Sequence, residues 1–236
     1  TDYSVDTITH IALGACIGEV LGRRQLGKKA LVLGALAQSI PDFDFVFSLW
    51  LDPSSNVLAH RGFTHSFLFV ILISLLLAVT AQRTWGKSET SFSFWFTFLG
   101  VQTLVHVLLD AFNAYGTAWF EPFSHYRVSF HTLFVADPFY SIPLGIALVM
   151  LVMLRLENKS RIYWASGGLI LSSLYLGYGL FNRFDIALCL MNNLISICTF
   201  FPEMTPCSCT LMIRRRSVDL NGFHRGIIPL SWSVIP

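Results

Sequence analysis

Long apolar stretches without a charged residue constrain this chain more than any other feature of its sequence. Four such stretches have or approach the roughly 17–25 residues that a helix needs to cross a bilayer. They are 66–82, 90–105, 138–154 and 162–182. Charged residues make up only 13% of the chain, about half of the ~25% that is usual for soluble domains. The composition therefore favours a lipid bilayer as the surroundings of these segments.

Three further apolar segments are less clear. The first two, 8–22 and 30–40, precede the long stretches and are marginal in length for a full span. Tilted, re-entrant or bundle-buried arrangements stay open for both. The third, 186–202, carries Asn192 and Asn193 in its middle, which favours an amphipathic or interfacial helix over a span.

These segments predict an all-α integral membrane protein, a helical bundle of about four to six transmembrane helices. We expect residues 1–182 to form a membrane-embedded helical domain that carries the functional site. Residues 183–236 are expected to form a small C-terminal appendage.

Lys and Arg are distributed unequally between the predicted loops. If the four long and the first two shorter segments all cross, nine basic residues lie on one side and two on the other. The nine are Arg23, Arg24, Lys28, Lys29, Arg83, Lys87, Arg155, Lys159 and Arg161; the two are Arg61 and Arg127. Because short basic loops stay in the cytoplasm, loops 41–65 and 111–137 are predicted to lie outside. Such short clusters, with a net charge of only +2, do not indicate nucleic-acid binding.

Eight ionisable residues lie beside or inside the predicted membrane helices, where such groups are costly and usually functional. They are His10, Asp42, Asp44, His60, His65, His106, Asp110 and Asp137. With alternating helix directions, every one of them falls at the same, external membrane face. Chance placement would scatter them over both faces, so the pattern predicts a metal site there.

Local spacing supports this prediction at two places. His106 and Asp110 are separated by four residues, so on a helix they share one face and can point at a common ion. Pro41 marks a helix end, where an irregular turn can aim both Asp42 and Asp44 inward. Imidazole and carboxylate ligands suit several divalent metals, and we expect Zn or Mn.

Each of these residues also has a simpler interpretation that the sequence leaves open. These are a surface pair for His106 and Asp110, a turn that bonds its own backbone for Asp42 and Asp44, an interfacial loop for 60–65 with Thr64 capping the next helix, and a helix N-cap for Asp137. His125 and His131 lie in an external loop and stay open as ligands or as parts of an aromatic interfacial belt.

Taken in order, these motifs resemble the LexA-regulated, inner-membrane metal-dependent hydrolases of the YdjM type over about residues 5–185. The most specific part is 60–66 (HRGFTHS). The other parts are 9–10 (TH), 41–44 (PDFD), 106–110 (HVLLD) followed by Gly116, 122–124 (PFS) and 137–138 (DP). The tail departs from the family pattern, because Ile213 stands where a Trp is expected.

The resemblance implies a hydrolase in the bacterial inner (cytoplasmic) membrane, with the same eight residues as candidate metal ligands. Eight exceed the three or four protein ligands of one catalytic Zn, so one or two ions are expected, and two-metal clusters commonly cleave phosphoesters. Asp44 or His60 is a candidate general base, and Arg61 a candidate binder of an anionic group. The expected substrate is an ester or phosphoester of a membrane lipid or lipid-linked molecule.

Two other function classes stay open. A divalent-metal or proton transporter would use the same His and Asp residues, but transport needs polar groups through the whole membrane depth. The cytoplasmic halves of the helices offer mainly Glu19, Gln38 and Gln102. A non-catalytic adaptor with a structural metal would explain the ligands but not their number.

Overall fold

The computed structural model describes residues 3–43, 62–85, 90–132 and 137–200, with side chains from 7 to 190 within these ranges. The described residues form six helices and no β-strand, which confirms the all-α prediction for this part of the chain. The helices are α1 (Tyr3–Leu26), α2 (Lys29–Ser39), α3 (Phe67–Trp85), α4 (Phe92–Asp110), α5 (Pro138–Met153) and α6 (Ser160–Phe200). A 3-10 turn, Phe63–His65, precedes α3.

Two of the described helices, α3 and α4, are long and apolar enough to cross a membrane by length and composition. Helix α5 is apolar but shorter. Because the core helix of a soluble protein can meet the same two criteria, length and composition alone are weak evidence of spanning.

Helix ends follow local capping signals in the sequence. The Ser91 side chain accepts a hydrogen bond from Phe94 N at 3.2 Å and begins α4. Asp137 accepts from Phe139 N at 3.0 Å and begins α5, with Pro138 in the first turn. Both residues fit the preference of helix N-termini for a short polar cap, and Pro138 is a favoured residue at the first helical position.

Helix α6 differs from the expectation of two separate segments, 162–182 and 186–202. It runs as one helix from Ser160 to Phe200. No Gly or Pro stands between Gly179 and Pro202, so nothing in the local sequence ends the helix there. Contacts divide the chain into two units, Thr1–Phe181 and Asn182–Pro236, and the site described below lies in the first unit.

Helices α1 and α2 form a hairpin with very close backbones. A Cβ atom at Gly18 would lie 2.3 Å from Ala30 O, and one at Gly14 would lie 2.5 Å from Gly34 O. Only glycine permits this approach, which is the small-residue packing common between membrane helices. The hairpin brings the N-terminal half of α1 and the C-terminal end of α2 to one end of the bundle.

Helix α4 packs against α1, α2 and α3 and carries its polar residues inward. Its buried face begins with Trp95 and Phe98 and ends with His106 and Asp110. The segment that follows α4 folds back on this end, since Phe130 N donates to Ala111 O at 2.7 Å and Phe67 N donates to Trp119 O at 3.0 Å. The last turn of α4 is thereby enclosed.

Candidate metal centre

Four side chains from three parts of the chain meet at this end of the bundle. Asp42 lies in the turn after α2, His65 in the 3-10 turn before α3, and His106 and Asp110 in the last turns of α4. One ligand atom from each lies within 4.8 Å of the corresponding atoms of the other three. We call these four residues the candidate metal centre.

Their distances match the spacing of ligands around a single ion. The two imidazole Nε2 atoms, of His65 and His106, are 3.3 Å apart. His65 Nε2 lies 3.1 Å from Asp110 Oδ2 and 3.7 Å from Asp42 Oδ1. His106 Nε2 lies 3.3 Å from Asp42 Oδ1 and 3.7 Å from Asp110 Oδ2. Tetrahedral ligands at zinc bond lengths are separated by about 3.4 Å, so these five distances fit one ion.

The chemistry of the donors fits a cation as well. His65 and His106 are fully buried, Asp110 is 1% exposed, and the Asp42 side chain is 22% exposed. Two carboxylates that converge in a buried place carry like charges, which is costly without a compensating cation. A divalent ion would balance both charges, and two imidazoles with two carboxylates suit Zn, Mn or Fe.

Asp42 is the most accessible member of the candidate metal centre. Partial burial alone would raise the pKa of its carboxyl group. The charge of His106, with hydrogen bonds from His106 and His65, outweighs burial and lowers the pKa below its usual range. Asp42 is therefore present as a carboxylate, the form that binds a metal, at the edge where solvent reaches the centre.

His10 contacts the candidate metal centre from α1. Its Nε2 lies 3.1 Å from Asp110 Oδ1, the carboxylate oxygen that does not face His65. Its ring also stacks on His106, with centroids 3.9 Å apart. This arrangement suits a residue that orients Asp110, or a ligand of a second ion that would share Asp110.

Further polar side chains contact the two histidines, one at a ring nitrogen and one at the backbone. Thr64 Oγ1 lies 3.0 Å from His65 Nδ1, whereas Ser66, not Thr64, caps α3 by accepting from Phe69 N at 3.1 Å. With its amide oriented to satisfy its neighbours, Gln38 accepts from His106 N at 3.3 Å. Sequence reasoning noted Gln38 only as a polar group within an apolar helix, and its contact partner was not predictable from spacing.

Two groups of predicted site residues lie apart from the candidate metal centre. Asp137 caps α5 and accepts from Tyr175 OH at 2.9 Å, so its carboxylate takes the simpler role considered from sequence. His125 Nδ1 lies 2.5 Å from Glu121 Oε1 on an exposed side chain. Neither residue belongs to the group of four, and His131 is not in that group either.

Asp44, His60 and Arg61 lie outside the described residues. Their predicted roles as ligand, general base and anion binder therefore stay predictions. The segment that contains them joins Phe43 to Gly62, which stand next to or near Asp42 and His65 in the chain.

Comparisons with known proteins point to a single family. A family model described as "YdjM inner membrane protein" matches residues 5–186. The chain is similar to "Inner membrane protein YbcI" of Escherichia coli (strain K12), with 34% identity over 122 residues, covering 51% of this chain and 69% of that protein. It is also similar to "Uncharacterized protein YfhP" of Bacillus subtilis (strain 168), with 32% identity over 142 residues, 57% of this chain and 42% of that protein. No solved structure matches the chain.

Proposed function

The chain belongs to the YdjM inner membrane protein family, and from that premise we propose that it is a membrane-bound metal-dependent hydrolase. It would cleave an ester or phosphoester at the membrane surface. The observation that carries the proposal is the convergence of two imidazoles and two carboxylates on one point, within 4.8 Å of one another. Because one of its ligands is partly accessible to solvent, this site resembles a catalytic metal site more than a closed structural one.

The distribution of exposed apolar side chains supports a multi-pass arrangement. On α3, Leu76 is 61% exposed and Ile71 55%, and on α5, Val152 is 70% exposed. Large apolar side chains are exposed repeatedly along these helices, and such surface is unfavourable in water and neutral in lipid. We propose that the bundle spans the bacterial inner membrane. The nine-to-two asymmetry of basic residues between its loops favours an outward-facing candidate metal centre.

The residues of the candidate metal centre and its neighbours would have separate roles. His65, His106, Asp110 and Asp42 would hold one ion, Zn or Mn, while a second ion would bind to His10, Asp44 or His60. A bound divalent ion supplies Lewis-acid activation of water and of the ester's oxygen. His10 would hold Asp110 in place, and Asp42 would face the entering substrate.

We assign proton transfer and anion binding to residues between Asp42 and His65. Asp44 or His60 would accept the proton from the attacking water. Arg61 would bind an anionic group such as phosphate, which its planar guanidinium can hold through two hydrogen bonds. A membrane lipid or a lipid-linked molecule is the proposed substrate class, because the proposed arrangement in the membrane would put the site at a membrane face.

The alternative function is transport of a divalent metal or of protons. It is favoured by one observation, the complete burial of Glu19, Gln38 and Gln102 within apolar helices. However, Glu19 is bound by Arg161, and Gln102 Nε2 donates to Gly14 O at 3.1 Å. Groups that are held by protein partners serve packing more readily than ion passage, so the hydrolase is the better supported function.

The deciding experiment uses the full chain purified into sealed vesicles and loaded with Zn or Mn. Cleavage of a panel of phospholipid esters is measured beside entry of a divalent ion reported by a trapped dye. We expect ester cleavage without ion flux, and loss of cleavage in His65→Ala. His125→Ala removes an exposed histidine outside the candidate metal centre and is the matched control, expected to remain active.

Ion entry that depends on His65, without cleavage of any ester, would replace the hydrolase by a transporter. If neither ester cleavage nor ion entry is seen, and the melting temperature falls when the metal is removed, the metal is structural.

A further inference from the structure

A second polar region lies at the opposite end of the same helices. A cavity of about 800 Å³ opens between the C-terminal end of α1 and the turn that joins α5 to α6. Three basic residues, Arg23, Arg24 and Lys159, line it. We call it the basic cavity. None of its lining residues belongs to the candidate metal centre.

The acidic residues that line the basic cavity do not cancel its charge. Glu19 is fully buried and is bound by Arg161, whose Nε and Nη2 donate to its two oxygens at 2.8 and 2.7 Å. Arg23 Nε also lies 3.7 Å from Glu19 Oε1, so two arginines compensate the negative charge of Glu19. Glu157 is the other acidic lining residue, so two exposed cations, Arg24 and Lys159, face one remaining carboxylate.

The wall of the basic cavity is held in shape by one of its own arginines. Arg23 Nη2 donates to Leu156 O at 2.5 Å and to Asn158 O at 3.3 Å, which fastens the α5–α6 turn to the end of α1. Arg24 and Lys159 are exposed. A fixed wall with two exposed cations at its rim is a preorganised place for an anion.

We propose that the basic cavity binds the phosphate of an anionic phospholipid headgroup. Its size exceeds what a free phosphate needs, and its walls include Val20 and Tyr163, which are 39% and 74% exposed. These side chains continue onto the outer surface of α1 and α6, where acyl chains would lie. Basic pockets between membrane helices on the cytoplasmic side are suited to anionic lipid headgroups, and the basic loops place this end there.

The test uses the full chain in nanodiscs of phosphatidylcholine that contain a minor fraction of phosphatidylglycerol. Native mass spectrometry then counts the phosphatidylglycerol molecules that stay bound to the protein. Arg24→Gln combined with Lys159→Gln should weaken this binding roughly thirtyfold, as expected for the loss of two cations beside an anionic lipid. Arg24→Lys combined with Lys159→Arg keeps both charges and should retain binding.

The matched control is Lys28→Gln combined with Lys29→Gln. It removes the same charge from the neighbouring turn, and these exposed residues do not line the cavity. An equal loss in the control would overturn the proposal in favour of general attraction to the leaflet. Displacement of the lipid by inorganic phosphate would assign the cavity to free phosphate instead, and equal retention of phosphatidylcholine would remove it as an anion site. Metal content and ester cleavage, measured on the same samples, test the hydrolase separately.

Discussion

The groups of ionisable residues near the two ends of α1 differ in how their charges are paired. At the candidate metal centre, two imidazoles and two carboxylates converge within 4.8 Å of one another, a donor set that suits a divalent cation. At the other end, Glu19 and Arg161 neutralise each other through two hydrogen bonds. The two ends therefore have different expected roles. The first would bind a cation, whereas the Glu19–Arg161 pair at the second links α1 to α6 without a ligand; we call this pair the structural clamp.

The largest effect is expected from breaking the candidate metal centre itself. His106→Ala combined with Asp110→Asn removes one imidazole and one carboxylate charge, so metal content should fall to background and ester cleavage should be lost. Elemental analysis and the lipid ester assay measure both. The protein should remain inserted in membranes, because the change creates no buried charge. Unchanged metal content would exclude this pair as ligands and would remove the contrast between the two ends.

Breaking the clamp should instead lower stability and leave the metal in place. Arg161→Met removes both hydrogen bonds to the buried Glu19 carboxylate and leaves it only Arg23, at 3.7 Å, which should cost about 3 kcal/mol of unfolding free energy. Denaturant unfolding in detergent measures the loss. Adding Glu19→Met should restore much of the stability, since neither charge then remains. A loss of metal per folded molecule in Arg161→Met would mean that the two ends are coupled.

A smaller effect is expected at the border of the candidate metal centre. His10→Ala removes the contact at 3.1 Å from Nε2 to Asp110 Oδ1 and should weaken metal affinity about 10–100-fold, as is typical of residues that orient a ligand. Competition with a fluorescent chelator measures the affinity. A drop from two bound ions to one, with the first affinity intact, would show that His10 binds a second ion.

The smallest effect is expected between the two ends. Gln102→Leu removes the hydrogen bond to Gly14 O and should cost about 0.5–1.5 kcal/mol of stability, the usual net contribution of one hydrogen bond. Ester cleavage and ion entry should not change. Altered ion entry in this variant would support the transport function instead, since an ion pathway would have to pass Gln102 in the middle of α4.

The positions of the helices could be predicted from local sequence, but the continuity of α6 could not. The apolar runs predicted every described helix, since uncharged stretches of helical length are a property of composition along the chain. The resemblance to the YdjM family is confirmed, and it rested on short motifs that are readable without a structure. The prediction of separate segments 162–182 and 186–202 was wrong about continuity, because the charged residues Arg183 and Asp185 interrupt an apolar run without ending a helix.

The sequence by itself predicted that the ionisable residues lie at one end of the helices, because alternating helix directions follow from the order of apolar segments alone. Only the tertiary structure decided which of them meet. Asp42, His65, His106 and Asp110 converge, while Asp137 turns to Tyr175. The Glu19–Arg161 contact, across 142 positions, was equally hidden. Such contacts depend on backbone approach and side-chain direction to within about one ångström, which the spacing of residues along a chain does not specify.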